Sequence, residues 1–420
     1  MKDIPETIKE IMTQHKIELI TDQSLRLTYD DLSVHDVLSK LLPKNIIIPT
    51  SYELIGHIAH FNLRDEQLPY KLIIGQVFLD KLENVKTIVN KTAPTSNKYR
   101  VFPMEILAGD PSMITIVKEN ECQFRIDFSK VYWNSRLGTE HERLCNEFTP
   151  GSCIVDLMAG VGPFVIPSIK NRHCFALCND LNPDSFHYLQ QNITLNKCED
   201  NIIQCGNMDA RQFWNEFVCL KKSFIAQTIH DKIEERQKAN VNIIQKSNNK
   251  KSKKTNINND EEQKNDNNNN KKKCANNLFD WKSIDNSKNR FVDHVCIFFS
   301  FFFSFFSLLF CQTKNIFFFL KKDMFAGSYT EKEVEIYGLP VIHCYCFAPS
   351  NAFEESIDDR LKKFLGETPN LKRNIRFVRN VSANKYMYCV EFQLPHHIAI
   401  QQNATQSRTP TVRNLEEMQS

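Results

Sequence analysis

The stretch Ser152-Cys-Ile-Val-Asp-Leu-Met-Ala-Gly-Val-Gly-Pro-Phe-Val-Ile-Pro167 decides the fold. It opens on a short apolar run, Cys153 to Leu157, of the kind that forms a buried parallel strand. Asp156 falls near the carboxyl end of that run. Gly160 and Gly162 follow in a tight turn, where they can take positive φ and let a ligand approach the backbone. Phe164 to Ile169 reads as the start of a helix. Strand, glycine turn and helix together make a nucleotide-binding corner, with helix amides facing the ligand. A second apolar run, Phe175 to Leu177, ends in Asn179-Asp-Leu-Asn-Pro183. An acid at that place is where a ribose diol is held. A glycine pair after a strand also occurs as an ordinary turn. The loop lacks Gly-Lys-Ser/Thr, which excludes a phosphate loop.

At 420 residues the chain is long enough for two domains and a large core. A net charge of +3 creates no strong global field, so any nucleic-acid site must be a local patch. The 14 cysteines are scattered without a C-x-x-C pair. That pattern fits neither a zinc ribbon nor a disulfide framework and points to a reducing compartment. Cys344 and Cys346 share one face of a strand and read as core thiols rather than metal ligands. The first residues, Met-Lys-Asp-Ile-Pro-Glu-Thr, resemble neither a signal peptide nor an Arg-rich transit peptide.

Asp31 to Leu42 has helical spacing, and Pro43 stops it. Leu54 to Ala59, Leu72 to Phe78, Tyr99 to Val117 and Cys122 to Tyr132 read as strands, which makes a small α/β module ahead of the corner. From Gly151 strands and helices alternate, as a doubly wound parallel sheet requires. Ile202 to Asp209 reads as the third strand with its ligand-side loop, and Phe213 to about Ile233 as helix. Lys246 to Lys273 is almost wholly polar, cannot offset its ordering entropy by burial, and reads as disordered within an insertion of about 235–288. Its lysines read as a solvated loop before they read as an RNA contact. Phe291 to Val295 looks like a strand resuming. Leu339 to Phe347 reads as a buried strand, Phe353 to Leu365 as an amphipathic helix, and Ile375 to Val381 with Lys385 to Leu394 as a final antiparallel pair. Residues 401–420 form a polar tail.

The segment 296–322 is anomalous, being nearly all Phe, Leu and Ser. Its apolar run is shorter than the roughly 20 residues of a spanning helix and is broken by Ser300, Ser304 and Ser307. Pyrimidine-rich non-coding sequence translates into these residues, so the simplest account is a read-through intron outside the functional fold.

Asp156 to Phe164 and Asn179 to Pro183, followed by Tyr188-Leu and Asn192 to Lys197, resemble the S-adenosyl-L-methionine (AdoMet) site of class I methyltransferases. More narrowly, they are similar to the archaeal and eukaryotic type of tRNA (guanine-37-N1)-methyltransferase. Glu53 to Leu63, Leu339 to Phe347 and Asn384 to Pro395 carry the same resemblance. It implies a Rossmann-like methyltransferase domain over 149–400, preceded by an α/β tRNA-binding domain over 49–148. The family's larger elbow-sensing region is reduced here to 1–48. The resemblance further implies AdoMet as cofactor and a tRNA with guanosine at position 37 as substrate. It implies a monomer with no stable protein partner and no membrane association, in cytoplasm and nucleus or in the mitochondrial matrix.

Methylating guanine N1 needs an in-line methyl donor, a base for the N1 proton and a donor for the charge pushed onto O6. The run Lys130-Val-Tyr-Trp-Asn-Ser-Arg-Leu-Gly-Thr-Glu-His-Glu-Arg143 holds a carboxylate, arginines and aromatics. By resemblance Glu140 is the general base, Tyr132 stacks near base and cofactor, Arg136 belongs to the same motif, and Arg100 contacts guanine and phosphate. Read without the resemblance, Glu140 and Arg136 make an ion pair at a helix start, and Trp133 is core. The resemblance assigns AdoMet to Asp156, Gly160, Gly162, Pro163, Phe164, Asp180, Asn182 and Asp209. Asp209 also fits a helix N-cap. No metal is implied. The family's Asn-Leu-Pro motif, due after the fourth strand, is missing where the phenylalanine run begins. Two other readings remain open: a catalytically dead, membrane-anchored binding protein on this fold, and a class I methyltransferase for another RNA or a protein.

Overall fold

The computed structural model describes residues 5–17, 27–93, 99, 101–254, 279–284, 291–297, 322–349, 353–366, 371–382 and 384–401. The first sheet has the order β1-β2-β3-β4, with β1 Glu53–Ile55, β2 Ile58–Phe61, β3 Thr87–Lys91 and β4 Met104–Gly109. Gly56, at φ +57°, turns what reads as one strand over 54–59 into the β1–β2 hairpin. The helix Lys71–Lys81 crosses from β2 to the parallel β3. Leu72 to Phe78, which reads as a strand, therefore lies in a helix. The reason is helical spacing within an apolar run: Ile74, Val77 and Phe78 are buried, while Leu72 and Ile73 face outward. Gly75 lets this helix press on β4, since a Cβ there would lie 2.6 Å from that of Leu107.

The second sheet has seven strands in the order β12-β13-β11-β10-β7-β8-β9. Its strands are β7 Cys153–Asp156, β8 Phe175–Asn179, β9 Ile202–Gly206, β10 His294–Ile297, β11 Val341–Ala348, β12 Arg373–Ser382 and β13 Lys385–Gln393. The five strands from β11 to β9 are parallel, and β12 and β13 join antiparallel at one edge. This is the expected doubly wound α/β architecture, with helices such as Val165–Arg172 and Pro183–Leu195 as crossovers. Cys344 and Cys346 are core thiols of β11.

A two-stranded ladder, β5 Ile114–Glu119 with β6 Cys122–Asp127, leans on the second sheet. Asn192 of the helix Pro183–Leu195 and Asn196, which ends that helix, face its edge. Asn192 Oδ1 accepts from the Arg125 amide at 2.7 Å, and its Nδ2 donates to the Arg125 carbonyl at 3.1 Å. Asn196 does the same for Gln123, at 3.0 and 2.7 Å. Two side-chain amides thus replace a missing strand partner.

Two segments extend further into the fold than composition suggests. The helix Lys222–Lys254 runs past residue 235, where the polar insertion was expected to begin, because Ile225, Ile229 and Ile233 seat it on the core. Trp281 and Ile284, near the far end of that insertion, are buried on the same core, and Gln237 Nε2 donates to both of their carbonyls. Residues 255–278 lie outside the described part. Cys296 and Ile297 belong to central strand β10 rather than to an anomalous segment, and residues 298–321 are outside the description. Among the described residues no helix is long and apolar enough to cross a membrane.

The chain beyond residue 321 returns to this core. Phe325 is fully buried with its ring 5.0 Å from that of Trp214, and Trp214 Nε1 donates to Ser328 Oγ at 3.0 Å. Phe325→Ala should therefore cost about 3–5 kcal/mol, the usual loss for emptying a buried phenylalanine site. Chemical denaturation should show the lower stability. An unchanged midpoint would mean that this segment is not docked in solution.

Candidate active site

The corner forms as its sequence requires. Gly160 and Gly162 both have positive φ, at +56° and +98°. A Cβ at Gly162 would meet Ile166 at 2.8 Å and Leu189 at 2.9 Å, so that glycine lets the helices Val165–Arg172 and Pro183–Leu195 close on the turn. A Cβ at Gly160 would meet nothing within 4 Å, so the second reason for glycine applies there: the backbone faces open space that a ligand can fill. That space is a cavity of about 50 Å³ walled by Tyr132, Asn134, His141, Gly160, Pro163 and Phe164 among others. The loop Tyr132 to Leu137 thus meets the glycine corner across one cavity.

Asp180 sits just past β8 and crosses to the corner. Its Oδ2 accepts the Gly160 amide at 2.8 Å, and its Oδ1 accepts the Asn182 amide at 2.8 Å. Asn182 caps the next helix through the Asp184 amide, and its Nδ2 donates to the Lys130 carbonyl at 2.9 Å. Asp180, Asn182 and the start of the Lys130–Arg143 run are therefore one bonded unit. Asp209 is the N-cap of the helix Ala210–Phe213 and pairs with Arg211 Nε at 3.0 Å. The Arg211 side chain, against some burial, holds the Asp209 carboxyl below its ordinary range. Asp156 does not face the cavity. It is almost fully buried, accepts the Met158 amide at 3.2 Å, and desolvation raises its pKa to about 7.

Glu140 and Arg136 do not pair. Arg136 is exposed and faces another cleft. Glu140 is buried in the helix Gly138–Glu147, where Arg143 Nη2 donates to its Oε1 at 2.6 Å and Arg143 Nε to its Oε2 at 2.9 Å. Tyr345 of β11 donates to Oε1 at 2.8 Å. The helical i,i+3 spacing and the approach of β11 select Arg143 as partner. Glu140 does not itself wall the 50 Å³ cavity; its neighbour His141 does. Trp133 is core, as its burial shows. Arg100 lies outside the described residues.

Several residues at the site carry no signal in sequence. Asn134 Oδ1 accepts from the Arg136 amide at 3.1 Å and from Arg379 Nη1 at 3.3 Å. His141 Nδ1 meets Glu119 Oε1 at 2.6 Å. Tyr345 and Arg379 come from strands far along the chain. His343, Cys389 and Glu391 offer ligand atoms within 4.8 Å of one another, but Arg143 Nη1 stands 3.1 Å from Glu391, so a guanidinium already serves that cluster as its cation.

A parallel sheet with a glycine corner, an acid beyond its second strand and a capped third-strand loop defines a class I, AdoMet-dependent methyltransferase. Residues 115–241 match the family model described as the TRM5/TYW2 methyltransferase domain, and residues 34–112 match the TYW2 N-terminal domain. A tRNA (guanine(37)-N(1))-methyltransferase of Phytophthora infestans is 34% identical over 90% of this chain and 70% of its own length. One of Batrachochytrium dendrobatidis is 36% identical over 95% and 76%. The solved complex of aTrm5 and tRNALeu superposes with a TM-score of 0.54 at 20% identity, covering 94% of this chain and 87% of that one. The chain belongs to the tRNA (guanine(37)-N1)-methyltransferase family.

The raised pKa of Asp156 makes stability depend on pH. Its folded value of about 7 exceeds the ordinary 3.8, so the fold binds that proton more tightly than the unfolded chain does. Stability is then full in acid and falls as pH rises toward 7, by on the order of 4 kcal/mol from this group alone. Asp156→Asn keeps the acceptor for the Met158 amide and removes the ionisation. It should raise the melting temperature at pH 8 more than at pH 5. Equal shifts at both pH values would show that Asp156 titrates normally.

Proposed function

We propose that this chain transfers a methyl group from AdoMet to N1 of guanine at position 37 of tRNA, 3′ of the anticodon. The observation that carries this reading is that the glycine corner and the Tyr132 to Leu137 loop wall one cavity. Family membership supports the choice of substrate. The residues fit the cofactor: open space lies at Gly160, and the Asp180 carboxylate is placed at the second strand's end. AdoMet, when bound, supplies an electrophilic sulfonium methyl.

The chain's own groups then have distinct tasks. Asp180 orients the corner through Gly160 and presents a carboxylate to the ribose hydroxyls. Asn182 holds that loop to Lys130, and Asp209 lies at the adenine end. Tyr132 offers an aromatic face to base and cofactor. Glu140 takes the N1 proton. Arg143 and Tyr345 hold it in one orientation, and its Oε2 accepts one of the two hydrogen bonds available to it. By resemblance Arg100 contacts guanine and phosphate, and Arg136, which faces the neighbouring cleft, belongs to the same motif as Tyr132 and Glu140. The finer reading is a monomer in a reducing compartment, cytoplasm and nucleus or mitochondrial matrix; the twelve described cysteines, all unpaired, support the redox part. The match of residues 34–112 to a TYW2 N-terminal domain favours a second reading, a TYW2-type transferase. The mass of the nucleoside formed in unmodified tRNA decides between them. A 1-methylguanosine product supports the first reading, and any other product, or none, overturns it.

Asp180→Ala should weaken AdoMet binding by about 1.5–3 kcal/mol, the worth of a hydrogen bond to a charged group. Calorimetry that finds parent affinity would remove Asp180 from the site. Glu140→Gln should leave tRNA and AdoMet binding in place and slow single-turnover transfer ~10²–10⁴-fold, as loss of a general base does. An unchanged rate together with a lower melting temperature would make Glu140 a structural partner of Arg143 and nothing more.

A further inference from the structure

Two thiols meet at the ligand-side ends of β8 and β9. Cys178 and Cys205 are register partners in these neighbouring parallel strands, and their Sγ atoms lie 2.9 Å apart, one S–H donating to the other sulfur. Register partners present their side chains on the same face of a sheet. The register slips just before them, since Ala176 faces Ile202 but Leu177 faces Gln204. Such a bulge sharpens the local twist and re-aims the side chains beside it. The other thiols of these two segments turn elsewhere. Cys174 Sγ approaches the Thr149 and Arg172 carbonyls, and Cys198 Sγ those of Ile166 and Asn196. The two members of the pair differ in access. Cys178 is fully buried, and its partner thiol, with burial, holds its own thiol well above the ordinary range. Cys205 lies on the edge strand and keeps exposed surface.

Each of these cysteines precedes a residue that holds the site together. After Cys178 comes Asn179, whose side-chain amide donates to the Leu157 and Met208 carbonyls. After Cys205 comes Gly206, whose carbonyl accepts the Asp180 amide at 3.2 Å. Asn207 Nδ2 then donates to the Asp180 carbonyl at 2.7 Å. On its other side Cys178 is the register partner of Asp156 in β7, so the carboxyl ends of three strands meet here. A covalent S–S bond is shorter than the present contact. Forming it draws the ends of β8 and β9 together, and the hydrogen bonds of Asn179 and Asp180 lie one peptide unit away.

We propose that Cys178 and Cys205 form a reversible disulfide when the chain meets a hydroperoxide, and that this bond weakens its hold on AdoMet. The Cys205 thiolate attacks one peroxide oxygen. The O–O bond breaks, Cys205 becomes a sulfenic acid, and the leaving hydroxide takes a proton to become water. The Cys178 sulfur then attacks the sulfenic sulfur, the S–O bond breaks, and the hydroxyl leaves as water with the Cys178 proton as the S–S bond forms. In sum two thiols are oxidised to one disulfide, and one peroxide is reduced to two waters. The contact between the sulfurs keeps the resolving thiol in place for the second step, ahead of further oxidation of Cys205. A small thiol reverses the bond by exchange. The bond itself does not depend on which base the chain methylates.

The test treats the full chain with limiting hydrogen peroxide, digests it without reductant and reads the peptides by tandem mass spectrometry. Trypsin leaves Cys178 with Cys174 in peptide 173–197, and Cys205 with Cys198 in peptide 198–211. The linked peptides should be two hydrogens lighter than their sum, and fragmentation should place the bond between Cys178 and Cys205. Calorimetry on the same sample should show AdoMet bound roughly tenfold more weakly, as small displacements of positioning groups produce. Dithiothreitol should restore the affinity. Cys205→Ser and Cys205→Ala should bind AdoMet as the untreated parent does and keep that affinity in peroxide. If both thiols stay unlinked, or the bond forms at Cys174 or Cys198 instead, the site is wrong. A linked pair with the parent's AdoMet affinity overturns the effect on the cofactor. Equal weakening of Cys205→Ser by peroxide traces the loss to another oxidised group, such as the Met208 thioether, and overturns it as well.

Discussion

The site depends on one buried side-chain amide. Asn179 ends β8 with no exposed surface. Its Nδ2 donates to the Leu157 carbonyl at 3.1 Å and to the Met208 carbonyl at 2.9 Å, and its Oδ1 accepts the Met208 amide at 3.1 Å. Its backbone carbonyl accepts the Ala159 amide at 2.8 Å. The loops after β7 and β9 are thereby tied to the end of β8. Buried polar groups that close all their bonds rigidify what they join, and here they join the glycine turn to the third-strand loop. Asp180, one residue on, can reach Gly160 because Asn179 holds the turn in place. Gly206 leaves room for this, since a Cβ there would come within 3.0 Å of Asn179 Oδ1.

The second constraint is how the first domain is held. Neither sheet is continuous with the other, yet the run Lys130–Arg143 is bonded to both. Ser135 bonds to Glu53 of β1, Asn182 bonds back to Lys130, and Asn134 receives Arg379 from β12. A bulge lies at that point of β12, where the register shifts between Phe377 and Arg379, and bulges next to a site re-aim the side chains they carry. The loop is therefore placed by three separate elements, and the two cavities on either side of it share one wall. Placement by several rigid neighbours is what preorganisation of a reacting group requires.

Where sequence and structure part, the cause is tertiary. The apolar run 72–78 fits either period when taken alone, and only the position of β4 shows that 74, 77 and 78 form its buried face. The choice of Arg143 over Arg136 as partner of Glu140 has this origin only in part, since Glu140 and Arg143 stand at helical i,i+3 spacing and β11 adds Tyr345. Arg143 has carboxylates around it, with Glu147 at 2.6 Å and Glu391 at 3.1 Å from Nη1, and two of those three acids share its own helix. The third comes from β13. Burial on the helix Lys222–Lys254 likewise orders residues whose composition alone suggests a solvated loop.

Read by itself, the sequence determined the glycine corner, the acid after the second strand, the alternation that makes a parallel sheet and the motif that carries the candidate base. These are local: φ freedom at Gly160 and Gly162, strand period and helix capping act within a few residues, and so they are written in order along the chain. The tertiary structure alone decided that Glu391 reaches Arg143, that Asp156 is buried away from the cavity, and that Tyr345 and Arg379 reach Glu140 and Asn134. Those outcomes depend on pairs more than two hundred residues apart, such as Tyr345 with Glu140 and Arg379 with Asn134. No local spacing records them, because the energy that selects them is the desolvation and pairing of groups brought together only when the sheet closes.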